Sequence, residues 1–195
     1  MKKIILASKS PRRIEMLSKY LDNIRVISAD IEEIVNPHDT PQTTTMKIAF
    51  EKASAARDLL INQKEEGLII SADTIVYLEH VMGKPESYED AFNTLRYLSG
   101  KEHSVYTGIC ILDIMSNKKV VDYEETAVVF NHLTDDDIRN YLKTKEYEDK
   151  AGSYGIQGYG ELLVKKIDGC YNNVVGLQLN KLNILLKKHF SCSLL

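Results

Sequence analysis

Four consecutive apolar residues, Ile4 to Ala7, form the first clear pattern in the chain, with polar residues on both sides. A short unbroken run of this kind predicts a strand covered on both faces. Ser10 then stands at an N-cap position and Pro11 at the first helical position, where its missing N–H costs nothing. Ile14, Leu17 and Leu21 continue at helical spacing as the buried face. Arg25 to Ser28 predict a second strand, and Ile31 to Ile34 a polar-punctuated edge segment leading into a loop at Asn36 to Pro41. Thr43 to Thr45 are expected to cap a long helix. Its Met46, Ala49, Phe50, Ala53, Ala56, Leu59 and Leu60 recur at three- and four-residue steps and predict one buried face.

Leu68 to Leu78 is rich in branched apolar residues but carries Ala72-Asp73-Thr74, which predicts a central strand bearing a carboxylate, partnered by Val81 to Gly83. Ser87 with Asp90 three residues on reads as a capping box. The helix it opens turns Ala91, Leu95 and Leu98 inward and stops at Ser99-Gly100. Two long strands, about His103 to Leu112 and Val120 to Phe130, flank Met115-Ser116-Asn117 as a hairpin. Thr134 caps a further helix whose Asp135, Asp136 and Asp137 suit the positive end of its dipole. Gly152 to Gly160 is a glycine-rich loop, Leu162 to Ile167 and Cys170 to Val175 are expected strands around an Asp168-Gly169 turn, and Leu179 to Phe190 is a closing helix. Strands alternate with helices in the first half and pair antiparallel in the second. The fold class is therefore mixed α/β, an elongated twisted sheet flanked by helices, expected as one domain over 1–195 with two lobes around a central cleft.

Composition narrows the partners. A chain of 195 residues with 44% hydrophobic and 27% charged content is an ordinary globular balance, and a net charge of −3 disfavours a nucleic acid held by its backbone. No apolar run reaches bilayer-spanning length, so no membrane partner is expected. Three cysteines, Cys110, Cys170 and Cys192, without CxxC spacing, read as reduced thiols of a cytoplasmic protein.

Charge placement supplies the chemistry. Ser8, Ser10, Arg12 and Arg13 gather where the first strand ends and the first helix begins, so backbone N–H groups, hydroxyls and two forked guanidinium groups can meet an anion. A capped helix with a solvated basic first turn would look the same, although first-turn arginines oppose the helix dipole unless an anion is present. Asp73 is the leading acid because it interrupts an apolar strand. Glu33 is its expected second carboxylate, with Glu32 as the alternative in a register shifted by one. Mg²⁺ or Mn²⁺ would suit such a pair, since hard cations bridge one or two carboxylates to phosphates. Lys52 lies in an alanine-rich helix, and Lys84 is set between Gly83 and Pro85. With Arg12 and Arg13 these would compensate a triphosphate. No GxxxxGK[ST] or GxGxxG motif occurs.

Leu-Ala-Ser-Lys-Ser-Pro-Arg-Arg at 6 to 13, Glu32-Glu33, Ala49 to Ala53, Ser71-Ala72-Asp73-Thr74, Gly83-Lys84-Pro85, Lys150 to Gly158 and Val175-Gly176-Leu177 resemble, in order, the Maf (septum-formation inhibitor) family of nucleoside triphosphate pyrophosphatases. The resemblance spans nearly the whole chain and implies an ITPase-like fold. It also implies metal-dependent hydrolysis between the α and β phosphates, giving a monophosphate and pyrophosphate. By the same resemblance Asp73 would be the proton acceptor and, with Glu33, would hold the metal. Ser8, Ser10, Arg12, Arg13, Lys52 and Lys84 would hold the phosphates, with Lys84 also assisting catalysis. Ala72-Asp73-Thr74 and Tyr154-Gly155-Ile156-Gln157-Gly158 are similar to the branch acting on dTTP and UTP, including modified pyrimidine nucleotides. The 7-methyl-GTP branch carries Ser-Asp-Gln and a glutamate in place of that glutamine. Arg12, Thr74 and Gln157 would then set specificity, the neutral amide of Gln157 offering both donor and acceptor to a pyrimidine edge. The expected partner is a small-molecule nucleoside triphosphate, with a homodimer open. A purine-directed enzyme and a nucleotide-binding regulator of septum formation, acting through a protein partner, are the alternatives. Gln178 departs from the family pattern, which has proline there, and Cys170 stands at a commonly polar turn position.

Overall fold

In the computed structural model, which describes residues 2–28 and 31–195, Ile4–Ala7 forms strand β1 with all four side chains buried. It lies parallel to β2 (Arg25–Ile27) on one side and to β3 (Leu68–Leu78) on the other, with Leu6 opposite Val26 and Ile70. Parallel neighbours need crossover connections, and helices α1 (Pro11–Ser18) and α2 (Pro41–Ile61) supply them. The later elements are β4 (His80–Met82), α3 (Tyr88–Leu98), β5 (Glu102–Asp113), β6 (Lys119–Phe130), α4 (Asp135–Lys143), β7 (Val164–Asp168), α5 (Tyr171–Val175) and α6 (Leu179–Phe190). Sheet order is β2-β1-β3-β5-β6-β7, with β4 antiparallel to the second half of β3 and β7 antiparallel to β6, making a mixed seven-stranded sheet flanked by helices. Among the described residues no helix is long and apolar enough to cross a membrane.

The chain divides into two compact units, Met1–Asp73 with Thr107–Glu124 and Gly176–Leu195, and Thr74–Tyr106 with Glu125–Val175. In the first, Ala49, Ala53, Ala56 and Leu60 of α2 pack on Ile5, Ile69, Cys110 and Leu112 of the strands. Alanines on that face let the helix lie close to the sheet. Gly108 permits the closest approach, since a Cβ there would stand 2.4 Å from the Thr45 backbone. Gln178 is fully buried and donates from Nε2 to the Thr107 carbonyl at 2.9 Å, so it ties the start of α6 to β5. In the second unit, Ala91, Phe92, Leu95 and Leu98 of α3 and Ile138, Tyr141 and Leu142 of α4 enclose a core with Val76, Val105, Val128 and Phe130.

Several elements differ from the sequence expectation. The cap of α2 is Thr40, whose hydroxyl accepts from Thr43 N, with Pro41 at N1; Thr44 and Thr45 lie inside the helix, buried. Any of the neighbouring threonines could cap, and Pro41 decides because its ring favours the first helical position. Leu59 is exposed and Ile48 takes a core place instead. Met16 is buried in α1 while Ile14 is only half-buried. Ile31 to Ile34 form no strand. Tyr171–Val175 is a short helix, not a strand; Asn173 is buried and donates to the Val105 carbonyl and to Thr126 Oγ1, bonds a regular ladder would not supply. At α3 Ser87 caps as expected, but Asp90 reaches back to Glu86 N. The α4 box forms in full between Thr134 and Asp137.

The β5–β6 turn is held by Asp113, whose Oδ1 accepts from the Met115 and Ser116 amides at 3.1 and 3.0 Å while Oδ2 meets Lys2 Nζ. Burial alone would raise this carboxyl. The hydrogen bonds from Lys2 and Ser116 outweigh it and hold the group down at about 2. Its folded value thus lies below its unfolded one, so the stabilisation is complete above pH ~4 and lost as pH falls toward the folded value. Asp113→Ala is expected to cost about 1–2 kcal/mol at pH 7, with the gap from the parent closing between roughly pH 4 and pH 2 in urea melts. A gap constant with pH would rule out the carboxylate as its source.

Candidate active site

Side chains alternate along a strand, so Ser71 and Asp73 of β3 share a face. Ser71 Oγ donates to the Ala49 carbonyl of α2 at 2.6 Å and pins helix to strand at that level. One turn further along α2 comes Lys52, and two residues further along β3 comes Asp73, so the same contact brings the two charges together. Lys52 Nζ lies 2.7 Å from Asp73 Oδ1 and 2.7 Å from Glu33 Oε1. Their side chains are 15% exposed for Lys52, 8% for Asp73 and 43% for Glu33, so the ammonium bridges an enclosed carboxylate to a solvent-facing one. Of the adjacent glutamates it is Glu33 that meets Lys52; Glu32 is exposed.

Arg13 stands at the opening of α1. Its Nε donates to the Gly176 carbonyl at 2.7 Å and its Nη1 to Ser8 Oγ at 3.4 Å. Ser8 is buried and also accepts from Ser10 N at 3.2 Å. Ser10 occupies the N-cap position as expected, but its side chain does not cap the helix. Arg12 is half-buried. Burial pushes Asp73 above the ordinary carboxylate range, and the charge and hydrogen bond of Lys52, with Arg13 behind them, pull down without cancelling it. Burial likewise lowers Arg13, with Asp73 opposing. A carboxylate so placed is a stronger base than a solvated one.

Thr74, Lys84 and Gln157 belong to the second unit. Thr74 is half-buried, immediately after Asp73 on β3. Lys84 is exposed beyond β4. The carbonyl of neighbouring Gly83 accepts from Gly152 N at 3.0 Å, joining the Lys84 loop to the glycine-rich one. Gly152 needs its glycine: φ is +66° and a Cβ would stand 2.7 Å from the Val76 side chain. Gln157 is half-buried and its side chain caps nothing in the 3-10 segment Gly158–Leu163 that follows. The structure therefore assembles Ser8, Ser10, Arg13, Glu33, Lys52 and Asp73 in the first unit and links the loops of Lys84 and Gln157 in the second. Sequence reasoning missed Ser71 and the Gly176 carbonyl. Ser71 left a signal, a hydroxyl two residues before the strand carboxylate; a backbone acceptor leaves none.

On a mixed α/β frame, a buried carboxylate paired with a lysine and a helix start carrying arginine in the same unit make up the kind of group set that suits a polyanion. The chain belongs to the Maf family, since the family model described as Maf-like protein matches residues 3–189. It is 44% identical to a protein of Alkaliphilus oremlandii named dTTP/UTP pyrophosphatase, over 100% of each chain. Proteins of the same name from Caldicellulosiruptor saccharolyticus and Clostridioides difficile are 44% and 45% identical, over 96% and 98% of this chain and 95% and 97% of theirs. A solved HAM1 protein from Coxiella burnetii aligns with a TM-score of 0.47 at 16% identity, over 67% of this chain and 73% of that one.

Proposed function

We propose that this protein is a nucleoside triphosphate pyrophosphatase acting on dTTP and UTP, and on modified pyrimidine nucleotides, to release the monophosphate and pyrophosphate. The observation that carries the reading is Asp73 on β3, buried yet 2.7 Å from the Lys52 ammonium, in a chain alike from end to end to relatives bearing that name. Water adds to phosphorus at the α–β anhydride, gives up its proton to Asp73, and the P–O bond between the two products breaks. Arg13, held in plane by Gly176 and Ser8, grips phosphate oxygens with Ser8, Ser10 and Lys52. Lys84 neutralises charge that develops on the phosphates. Arg12, Thr74 and Gln157 select the nucleotide.

Among the described residues no three His, Cys, Asp or Glu side chains gather as a metal set. Asp73 and Glu33 do converge on one cation, the Lys52 ammonium. Two oxygen donors completed by water and phosphate fit a hard divalent ion. Asp73 and Glu33 would hold Mg²⁺ or Mn²⁺, which when bound supplies charge compensation at the phosphates.

The test is a panel of triphosphates with Mg²⁺ and a readout that separates pyrophosphate from orthophosphate. dTTP and UTP are expected to give pyrophosphate with kcat/KM at least about tenfold above purine nucleotides, and EDTA to abolish turnover until Mg²⁺ or Mn²⁺ is restored. Release of orthophosphate alone, or preference for 7-methyl-GTP, would overturn the assignment.

A further inference from the structure

Glu146 sits beyond the end of α4 and is itself held in place: its N–H donates to Thr144 Oγ1 at 3.2 Å, and its carbonyl accepts from Lys150 Nζ. Its carboxylate turns under the glycine-rich loop. Oε2 accepts from the Tyr159 amide at 2.9 Å and Oε1 from the Gly160 amide at 3.3 Å. Tyr141 closes the arrangement, its hydroxyl 3.5 Å from Glu146 Oε1 and accepting from the Gly155 amide at 3.2 Å.

Three glycines let the loop pack tightly here, and Gly158 makes room for the carboxylate itself. A Cβ at Gly158 would stand 2.6 Å from Glu146 Oε2, while one at Gly155 would first meet the Lys150 side chain at 2.6 Å and one at Gly160 the Gly155 carbonyl. Gly158 also has φ of +68°, a conformation in which an L side chain is strained. Just upstream Tyr154 is buried against Phe130 and hydrogen-bonded at 2.8 Å to His103. The loop is thus anchored at 154, 155, 159 and 160, and Gln157 occupies the middle of the span. Charge-assisted bonds from a carboxylate to backbone amides are stronger than neutral ones, so Glu146 is the principal clamp.

We propose that Glu146 is a positioning residue for nucleotide selection: its carboxylate clamps the backbone of residues 155–160 and so sets where the Gln157 amide is presented to the base. The inference rests on the reading of Gln157 as the base-contacting residue, and the clamp itself can be tested without that reading. A side chain whose placement decides a hydrogen bond to the base controls discrimination between bases that differ only at that edge, as UTP and CTP do.

The experiment compares the parent protein with Glu146→Ala, Glu146→Gln, Gln157→Ala and the Glu146→Ala/Gln157→Ala double variant. It measures amide hydrogen exchange, and kcat and KM for UTP and CTP. Glu146→Ala is expected to speed exchange at the Tyr159 and Gly160 amides by about tenfold or more while β1 and β3 keep their protection. It should also raise KM for UTP and lower the UTP-to-CTP ratio of kcat/KM, each by about tenfold. Glu146→Gln keeps one acceptor oxygen and should fall between parent and alanine variant, even if the alanine variant folds poorly. The double variant should be no less selective than Gln157→Ala alone, because both changes remove one interaction. Unchanged exchange at Tyr159 and Gly160 would overturn the clamp. Faster exchange with parental selectivity, where Gln157→Ala loses it, would overturn the positioning role. Parental selectivity in Gln157→Ala would overturn the reading of Gln157 and, with it, the role given to Glu146.

Discussion

Asp73→Asn is expected to lower kcat for dTTP by about 10²–10⁴-fold, the usual contribution of a positioned general base, while the protein stays folded and gains stability at neutral pH. The first effect follows from losing the group that takes the proton of water. The second follows from burial, which holds Asp73 above its ordinary value despite Lys52. A carboxyl whose folded value exceeds its unfolded one stabilises the fold at low pH, and that contribution is lost as pH rises through the folded value. Asparagine imitates the protonated acid at every pH. In chelated buffer the variant should therefore melt higher than the parent at pH 8 and together with it near pH 4. Parental turnover would remove Asp73 from the mechanism. A lower melting temperature at pH 8 would mean that the pairing with Lys52 outweighs burial.

Arg13→Lys is expected to be nearly as damaging as Arg13→Ala, each lowering kcat/KM by about 10²-fold. The guanidinium uses its fork twice over, donating Nε to the Gly176 carbonyl and Nη1 to Ser8 Oγ, which fixes the plane it offers to a phosphate. A lysine ammonium places its three donors at a single point on a flexible stem and offers a ligand no fixed plane. Because the Gly176 carbonyl loses its donor, Arg13→Ala should also cost about 1–3 kcal/mol of stability. Steady-state kinetics with dTTP and urea melts of both variants provide the check. A lysine variant within threefold of the parent would show that charge alone suffices.

Where local periodicity is strong, the elements are where the pattern puts them: β1 is Ile4–Ala7, β3 is Leu68–Leu78 and α6 is Leu179–Phe190. Where several neighbouring residues are chemically equivalent, the pattern is silent about which one acts. That is why the α2 cap moves from Thr43–Thr45 to Thr40, and why only the structure separates Glu33 from Glu32. Residues 171–175 failed differently. Short segments with a few apolar residues suit helix or strand alike; in the helix that forms, Asn173 is buried and bonded to Val105 and Thr126.

By itself the sequence determined the kinds of groups available and their order: an acid on an apolar strand, a lysine on an alanine-rich helix, hydroxyls and arginines where a strand gives way to a helix, and a glycine-rich loop carrying Gln157. These are legible because strand and helix repeats are local and place each side chain relative to its near neighbours. The tertiary structure alone decided which of them meet. Lys52 reaches Asp73 across 21 positions, and Arg13 reaches the Gly176 carbonyl across 163. The Glu146 carboxylate finds the amides of Tyr159 and Gly160 across 13 and 14 positions, where Gly158 leaves space for it. Such contacts depend on how strands, helices and loops pack, and on backbone groups that every residue carries alike, so no local repeat encodes them.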